Sequence, residues 1–106
     1  MPTPFERFRR SLTADNLWLY ILALLKSGDL YAYEIRSRVA ERFGFRPGGV
    51  TAYLVLKKLQ AAGYVSIAGH GQGSGPVKTY YRLTAKGRQE LAQARRFYQK
   101  TGAVFA

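Results

Sequence analysis

The side chains best suited to chemistry fall between residues 46 and 78. Arg46 stands in a turn, Thr51, Tyr53, Lys57 and Lys58 follow on one amphipathic segment, and His70, Gln72 and Lys78 lie in or beside a Gly-rich loop. These are hydrogen-bond donors and cations, the groups that contact phosphates and base edges. A Thr hydroxyl can bond a base or a phosphate while its methyl touches thymine, which suits Thr51. Tyr53 can donate to a phosphate, or it can turn into the core. Lys57 and Lys58 can reach backbone oxygens, or they can simply solvate a helix face, and Arg46 is free to contact phosphate. His70, Gln72 and Lys78 can reach a strand or a minor groove, or else belong to an exposed loop.

Catalysis has little to work with here. His70 is the sole histidine and so the one candidate for a neutral-pH base, and it sits in the Gly-rich loop. Cysteine is absent and there is no His-rich cluster, so no transition-metal site and no cofactor is expected. The six acids are scattered without an evident pair. GHGQGSG looks like a phosphate cradle but lacks both the strand-to-helix context and the following Lys-Ser/Thr. No catalytic residue is assigned, and an enzyme is not expected.

The elements that must position these residues can be read from spacing. Gly49 to Ala62 is expected to be a helix, with Tyr53, Leu56, Leu59 and Ala62 or near neighbours toward the core. Val50, Thr51, Leu54, Lys57 and Lys58 are distributed around its other side. Gly63 ends it, and YVSIA and TYYRL then read as two strands flanking the loop GHGQGSGPVK. Upstream, Asp29 is expected to open a helix from about Leu30 to Phe43 that stops at Gly44. Two helices joined by a short Gly-containing turn have helix-turn-helix geometry. Asp15 is expected to cap a helix from Asn16 to Lys26 that is apolar nearly all round, so its second side is expected against another subunit. Phe5, Phe8 and Leu12 form a stripe on a short basic helix, to be buried on the body, on a partner chain or on a membrane surface. Thr84 is expected to cap a last helix, Ala85 to about Lys100, with Leu91, Ala94 and Tyr98 as its main stripe and Phe97 beside it.

Seventeen Lys and Arg against six Asp and Glu leave a net charge of +11 over 106 residues. So positive a field favours polyanions, nucleic acid first and anionic membrane second, although part of it can serve only to solvate helix faces. No secretory signal is read in MPTPFERFRRSL, and the apolar run from Leu17 to Leu25 is too short to span a bilayer. A cytoplasmic, nucleoid-associated protein without a membrane partner is expected.

Together, Tyr33-Glu34-Ile35 after Leu30-Tyr31-Ala32, Thr51, Tyr53, Leu56-Lys57-Lys58-Leu59, Gly63-Tyr64-Val65, Lys78, Tyr80-Tyr81-Arg82-Leu83-Thr84 and Gly87-Arg88 resemble the PadR family of winged-helix transcriptional regulators. The likeness covers about residues 16 to 91. The chain departs from the family at Gly48-Gly49-Val50-Thr51, where Ser-Pro-Gly-Thr is usual, and at Leu54, where Pro is usual. A single C-terminal helix matches the family's compact subgroup.

The resemblance implies a mainly helical α+β fold over a single domain, residues 1–106. Residues 1–14 would form an N-terminal extension, 16–83 a winged helix-turn-helix core with a two-stranded wing, and 84–106 a C-terminal dimerisation helix. It implies a homodimer, commonly a repressor, on a palindromic operator in double-stranded DNA. Phe5, Phe8, Trp18, Leu91, Ala94, Phe97, Tyr98 and Phe105 are the interface candidates, each of which could instead be intrachain core. Trp18 could also line a cavity for a small aromatic effector. A sequence-neutral architectural DNA-binding protein is the alternative reading, and a protein-interaction adaptor a further one.

Overall fold

The computed structural model describes residues 1–71 and 77–106. Five helices and three strands follow in the order α1 (Pro4–Ser11), α2 (Leu17–Leu25), β1 (Leu30–Tyr31), α3 (Ala32–Phe43), α4 (Gly49–Ala61), β2 (Val65–Gly71), β3 (Lys78–Leu83) and α5 (Ala85–Ala103), with a single 3-10 turn at Ala14–Asn16 before α2. The strands form one antiparallel sheet in the order β1-β3-β2. This is the winged helix-turn-helix expected, with one more strand than the two-stranded wing.

The extra strand corrects the reading of Leu30 and Tyr31. They do not begin the helix; they pair with Tyr81 and Tyr80 of β3. Asp29 accordingly does not open α3. Its carboxylate accepts two hydrogen bonds from Arg82, from Nε at 3.2 Å and from the terminal nitrogen at 2.9 Å. A two-residue strand has no periodicity of its own, and its partners, Tyr81 for Leu30 and Tyr80 for Tyr31, lie far downstream in the chain. The backbone N–H of Tyr31 is taken up by the Glu34 carboxylate at 3.3 Å, one of the orphan donors at a helix start.

Asp15 also differs from expectation. It pairs with Arg10 at 3.1 Å, while Asn16 occupies the N-cap position of α2 without a side-chain cap bond. The Asn16 amide instead donates to the Ser11 carbonyl, and its oxygen accepts from Trp18 Nε1 at 3.1 Å. α1 carries its own capping box, in which the Thr3 hydroxyl accepts from Glu6 N and the Glu6 carboxylate accepts from Thr3 N, both at 3.1 Å.

α2 lies at the centre because it is apolar on nearly every side. Leu17, Ile21, Leu22, Leu24 and Leu25 are buried, and they meet Ile35 and Val39 of α3, Ala52, Leu56 and Leu59 of α4, and Val65, Tyr81 and Leu83 of the sheet in one core. In α4 the inward residues are Ala52, Leu56 and Leu59, whereas Tyr53 is half exposed and Ala62 is exposed. An i, i+3 rhythm through Tyr53 and Ala62 drifts around a helix of 3.6 residues per turn, so the core face follows i, i+4, i+7 instead. α3 ends at Gly44 with φ of 77°, and α4 is followed by Gly63 with φ of 85°, left-handed turns that favour glycine.

Candidate nucleic-acid interface

The turn that aims α4 is fastened from below. Arg36 of α3 donates through Nε to the Pro47 carbonyl at 3.0 Å, and Pro47 is buried. A Cβ on Gly49 would lie 3.4 Å from the same guanidinium, an ordinary contact, so the start of α4 packs against the Arg36 side chain. Arg36 was not singled out by sequence, because its role depends on a contact eleven residues away.

On the outer side of α4, Val50, Thr51, Tyr53, Leu54, Lys57 and Lys58 are all exposed. Lys57 Nζ stands 5.3 Å from the centroid of the Tyr53 ring, a cation–π distance. Tyr53 is therefore on the solvent side with the lysines and not in the core. Arg46 is exposed in the turn. Between Glu41 and Glu90 the chain contains no acid, so the turn, α4 and the strands carry only positive side-chain charge. Among the described residues no ion pair involves a lysine.

Beside α4, β2 and β3 form the wing. A β-bulge between Ile67 and Gly69 shifts the register, after which His70 pairs with Thr79 and Gly71 with Lys78. His70 Nδ1 and the Thr79 hydroxyl are 3.2 Å apart. Gln72 lies outside the described residues. Lys78 is set by two aromatic rings that sequence reasoning did not connect with it. Its ammonium lies 4.8 Å from the Tyr31 ring centroid, and Tyr31 packs edge-on to Tyr80 at 5.4 Å. The antiparallel register that places Tyr31 opposite Tyr80 makes this cluster, and no local signal could have announced it.

The wing root is held by charge. The Arg82 guanidinium keeps the Asp29 carboxyl below the usual carboxylate range, first through its hydrogen bond, and Asp29 raises Arg82 in turn. At the other end, the Thr84 hydroxyl accepts from Gly87 N at 3.0 Å and lies 2.6 Å from the Gly63 carbonyl and 3.0 Å from that of Tyr64. Lys86 Nζ donates to the Ala62 carbonyl, placing a cation at the negative end of α4. Thr84, Lys86 and Gly87 thus join the exit of α4 to the start of α5.

The eight interface candidates divide. Phe5, Phe97 and Phe105 are about seven-tenths exposed, Tyr98 and Phe8 about half. Phe8 meets Phe105 edge-on at 6.4 Å, bringing the two ends of the chain together. Trp18 and Leu91 are partly buried and pack on the intrachain core, and Ala94 is half-buried. A groove of about 380 Å³ runs between α2 and α5, lined chiefly by Leu19, Tyr20, Ala23, Leu91, Ala94 and Tyr98. Trp18 is not among its lining residues. Burial, and secondarily Tyr98, raises the Tyr20 phenol above its usual pKa, and its hydroxyl donates to the Leu12 carbonyl.

Fold and site together define a winged helix-turn-helix protein with a basic outer face. The model of the "Transcriptional regulator PadR-like family" matches residues 21–93, and the chain belongs to that family of transcriptional regulators. It is 37% identical over 73 residues to the negative transcriptional regulator PadR of Bacillus subtilis, a match that spans 67% of this chain and 40% of that protein. The chain thus spans about two fifths of the length of the curated relative it matches. Its fold is similar to that of a PadR family transcription regulator from Clostridium difficile R20291, with a TM-score of 0.70, 32% identity, and coverage of 83% of this chain and 95% of that one. It is also similar to Bacillus subtilis PadR in complex with operator DNA, with a TM-score of 0.67, 35% identity, and coverage of 73% and 45%. No helix among the described residues is long and apolar enough to cross a membrane.

Proposed function

We propose that this protein is a homodimeric, sequence-specific DNA-binding regulator that represses by occupying a palindromic operator. The observation that carries the reading is the outer face of α4, exposed and free of acids, with the wing beside it. An α-helix fits the major groove of B-DNA, and cations flanking it can neutralise phosphates on either side. In this arrangement Arg46, Lys57, Lys58 and the wing residues His70, Gln72 and Lys78 provide affinity and register, Tyr53 can donate to a phosphate, and the start of α4 with Thr51 approaches the base edges.

Exposed Phe5, Phe97, Tyr98 and Phe105 support pairing of two chains through α1 and α5. Twofold pairing would set the two α4 helices about 34 Å apart, one turn of DNA. The groove between α2 and α5 supports a small aromatic effector bound against Tyr20 and Tyr98 more than against Trp18.

The test is an anisotropy titration at about physiological ionic strength, comparing duplex from the protein's own upstream region with a shuffled duplex. A specific regulator prefers the upstream DNA by about a thousandfold and saturates at one dimer per site. Equal affinity for both would mean a sequence-neutral architectural protein. Absence of binding would mean a protein-interaction adaptor.

A further inference from the structure

The residues at the middle of α4's outward face are apolar. Val50 is 75% exposed and Leu54 is 52% exposed, one helical turn apart, so they form a ridge opposite the buried Ala52, Leu56 and Leu59. Lys57, Lys58 and Ala61 continue that ridge toward the C-terminus, also exposed. Thr51 and Tyr53 stand to either side of it.

Two large aliphatic side chains kept in water on a strongly cationic surface call for an occupant that is apolar at one spot and anionic around it. The major-groove edge of an A·T pair has that character, because the thymine 5-methyl is the one apolar group displayed there, between phosphate-lined walls. The polar readers are missing from this helix. α4 has no Arg or Asn, the residues that with Gln and Lys read guanine and adenine by paired hydrogen bonds. Its sole amide, Gln60, has its carbonyl oxygen buried. Its lysines, Lys57 and Lys58, come two to three turns into the helix, past the N-terminal part that approaches the bases.

Resting on the reading of α4 as a groove-binding helix, we infer that Val50 and Leu54 choose the sequence, by packing against thymine methyl groups. Thr51 adds one further methyl to the same contact. The preferred half-site is thus defined by the positions of its thymines on either strand, and its hydrogen-bonding pattern matters less.

The full-length protein is first used to select duplexes from a randomised pool at about physiological ionic strength. Each thymine of the selected duplex is then replaced singly by deoxyuridine, which removes the methyl and leaves every hydrogen-bonding group in place. At the contacted thymines the wild type loses about fourfold in affinity per methyl. Val50→Ala and Leu54→Ala each bind the thymine duplex more weakly and become indifferent to uracil at one position. Their thermal melting should match the wild type, because both sites are exposed.

Uracil penalties below about 1.5-fold at every position, against the fourfold expected for a buried methyl, would overturn the inference while leaving a specific regulator intact. Variants that keep the full uracil penalty would do the same. If no duplex is enriched at all, the regulator reading fails and the inference falls with it.

Discussion

At the scale of single residues, the roles on α4 are separable by experiment. Lys57→Ala is expected to weaken operator and shuffled duplex by the same factor and to reduce the salt slope of binding by about one. Thr51→Ala is expected to narrow the gap between the two duplexes. Titrations of both variants over a range of salt check this, and an equal loss of discrimination in both would contradict the division. Gly87 tests packing in place of binding. It is buried, and a Cβ there would collide with the Tyr64 carbonyl and come within 2.6 Å of Leu83 Cδ1. Alanine is the better helix former by about 1 kcal/mol, yet overpacking costs about 1–3 kcal/mol, and the backbone carbonyl cannot move aside cheaply. Gly87→Ala should therefore lower the melting temperature; a rise would show that α5 shifts freely on the exit of α4. Gly87 stands out in the sequence only through family likeness, and the collision supplies the physical reason for it.

At the scale of elements, the sheet is where local reading and structure part. β2 and β3 were legible as YVSIA and TYYRL on either side of the Gly-rich loop, and Val65, Tyr81 and Leu83 do point into the core, but Ile67, expected to alternate inward with Val65, is exposed. β1 was not, because its two residues continue the apolar pattern of the helix that follows. It matters because it brings Asp29 to Arg82 and Tyr31 to Lys78. Folding lowers the pKa of Asp29, so its stabilising contribution is present above its unfolded pKa and is lost as pH falls through the lower folded value. Denaturation midpoints measured from about pH 5 to about pH 2 should fall more steeply for the wild type than for Asp29→Asn. Parallel curves would show that the pair contributes nothing measurable, the usual result for an exposed ion pair. Tyr31→Phe should keep Lys78 in place, since the ring is what the ammonium faces. Tyr31→Ala should lower affinity for every duplex, by a factor that vanishes in the Lys78→Ala background. A decrement that persists there would make Tyr31 a merely structural residue.

At the scale of the whole molecule, charge and exposed aromatics act together. A chain of +11 binds any duplex at low salt, so only measurements near physiological ionic strength separate recognition from attraction. Phe5, Phe97 and Phe105 are about seven-tenths exposed, the side chains through which the proposed dimer would pair. For the proposed dimer, Phe97→Glu is expected to raise the dissociation constant by about tenfold to a hundredfold, the worth of one buried aromatic side chain. Sedimentation velocity over a concentration series would detect this, and an unchanged distribution would remove Phe97 from the interface.

The sequence by itself determined the helical periodicities, the turn glycines at Gly44 and Gly63, the acid-free stretch containing α4 and the wing, and with them the fold class and family. All of these depend on neighbours within a few residues, where spacing and propensity decide the outcome. The tertiary structure alone decided that Tyr53 faces solvent, that Trp18 lies outside the α2–α5 groove, that Arg36 fastens the turn before α4, and that Tyr31 and Tyr80 hold Lys78. Those outcomes depend on residues far apart in the chain meeting at one register or in one core. Contacts of that kind are selected by packing the whole molecule at once, and no local pattern encodes them.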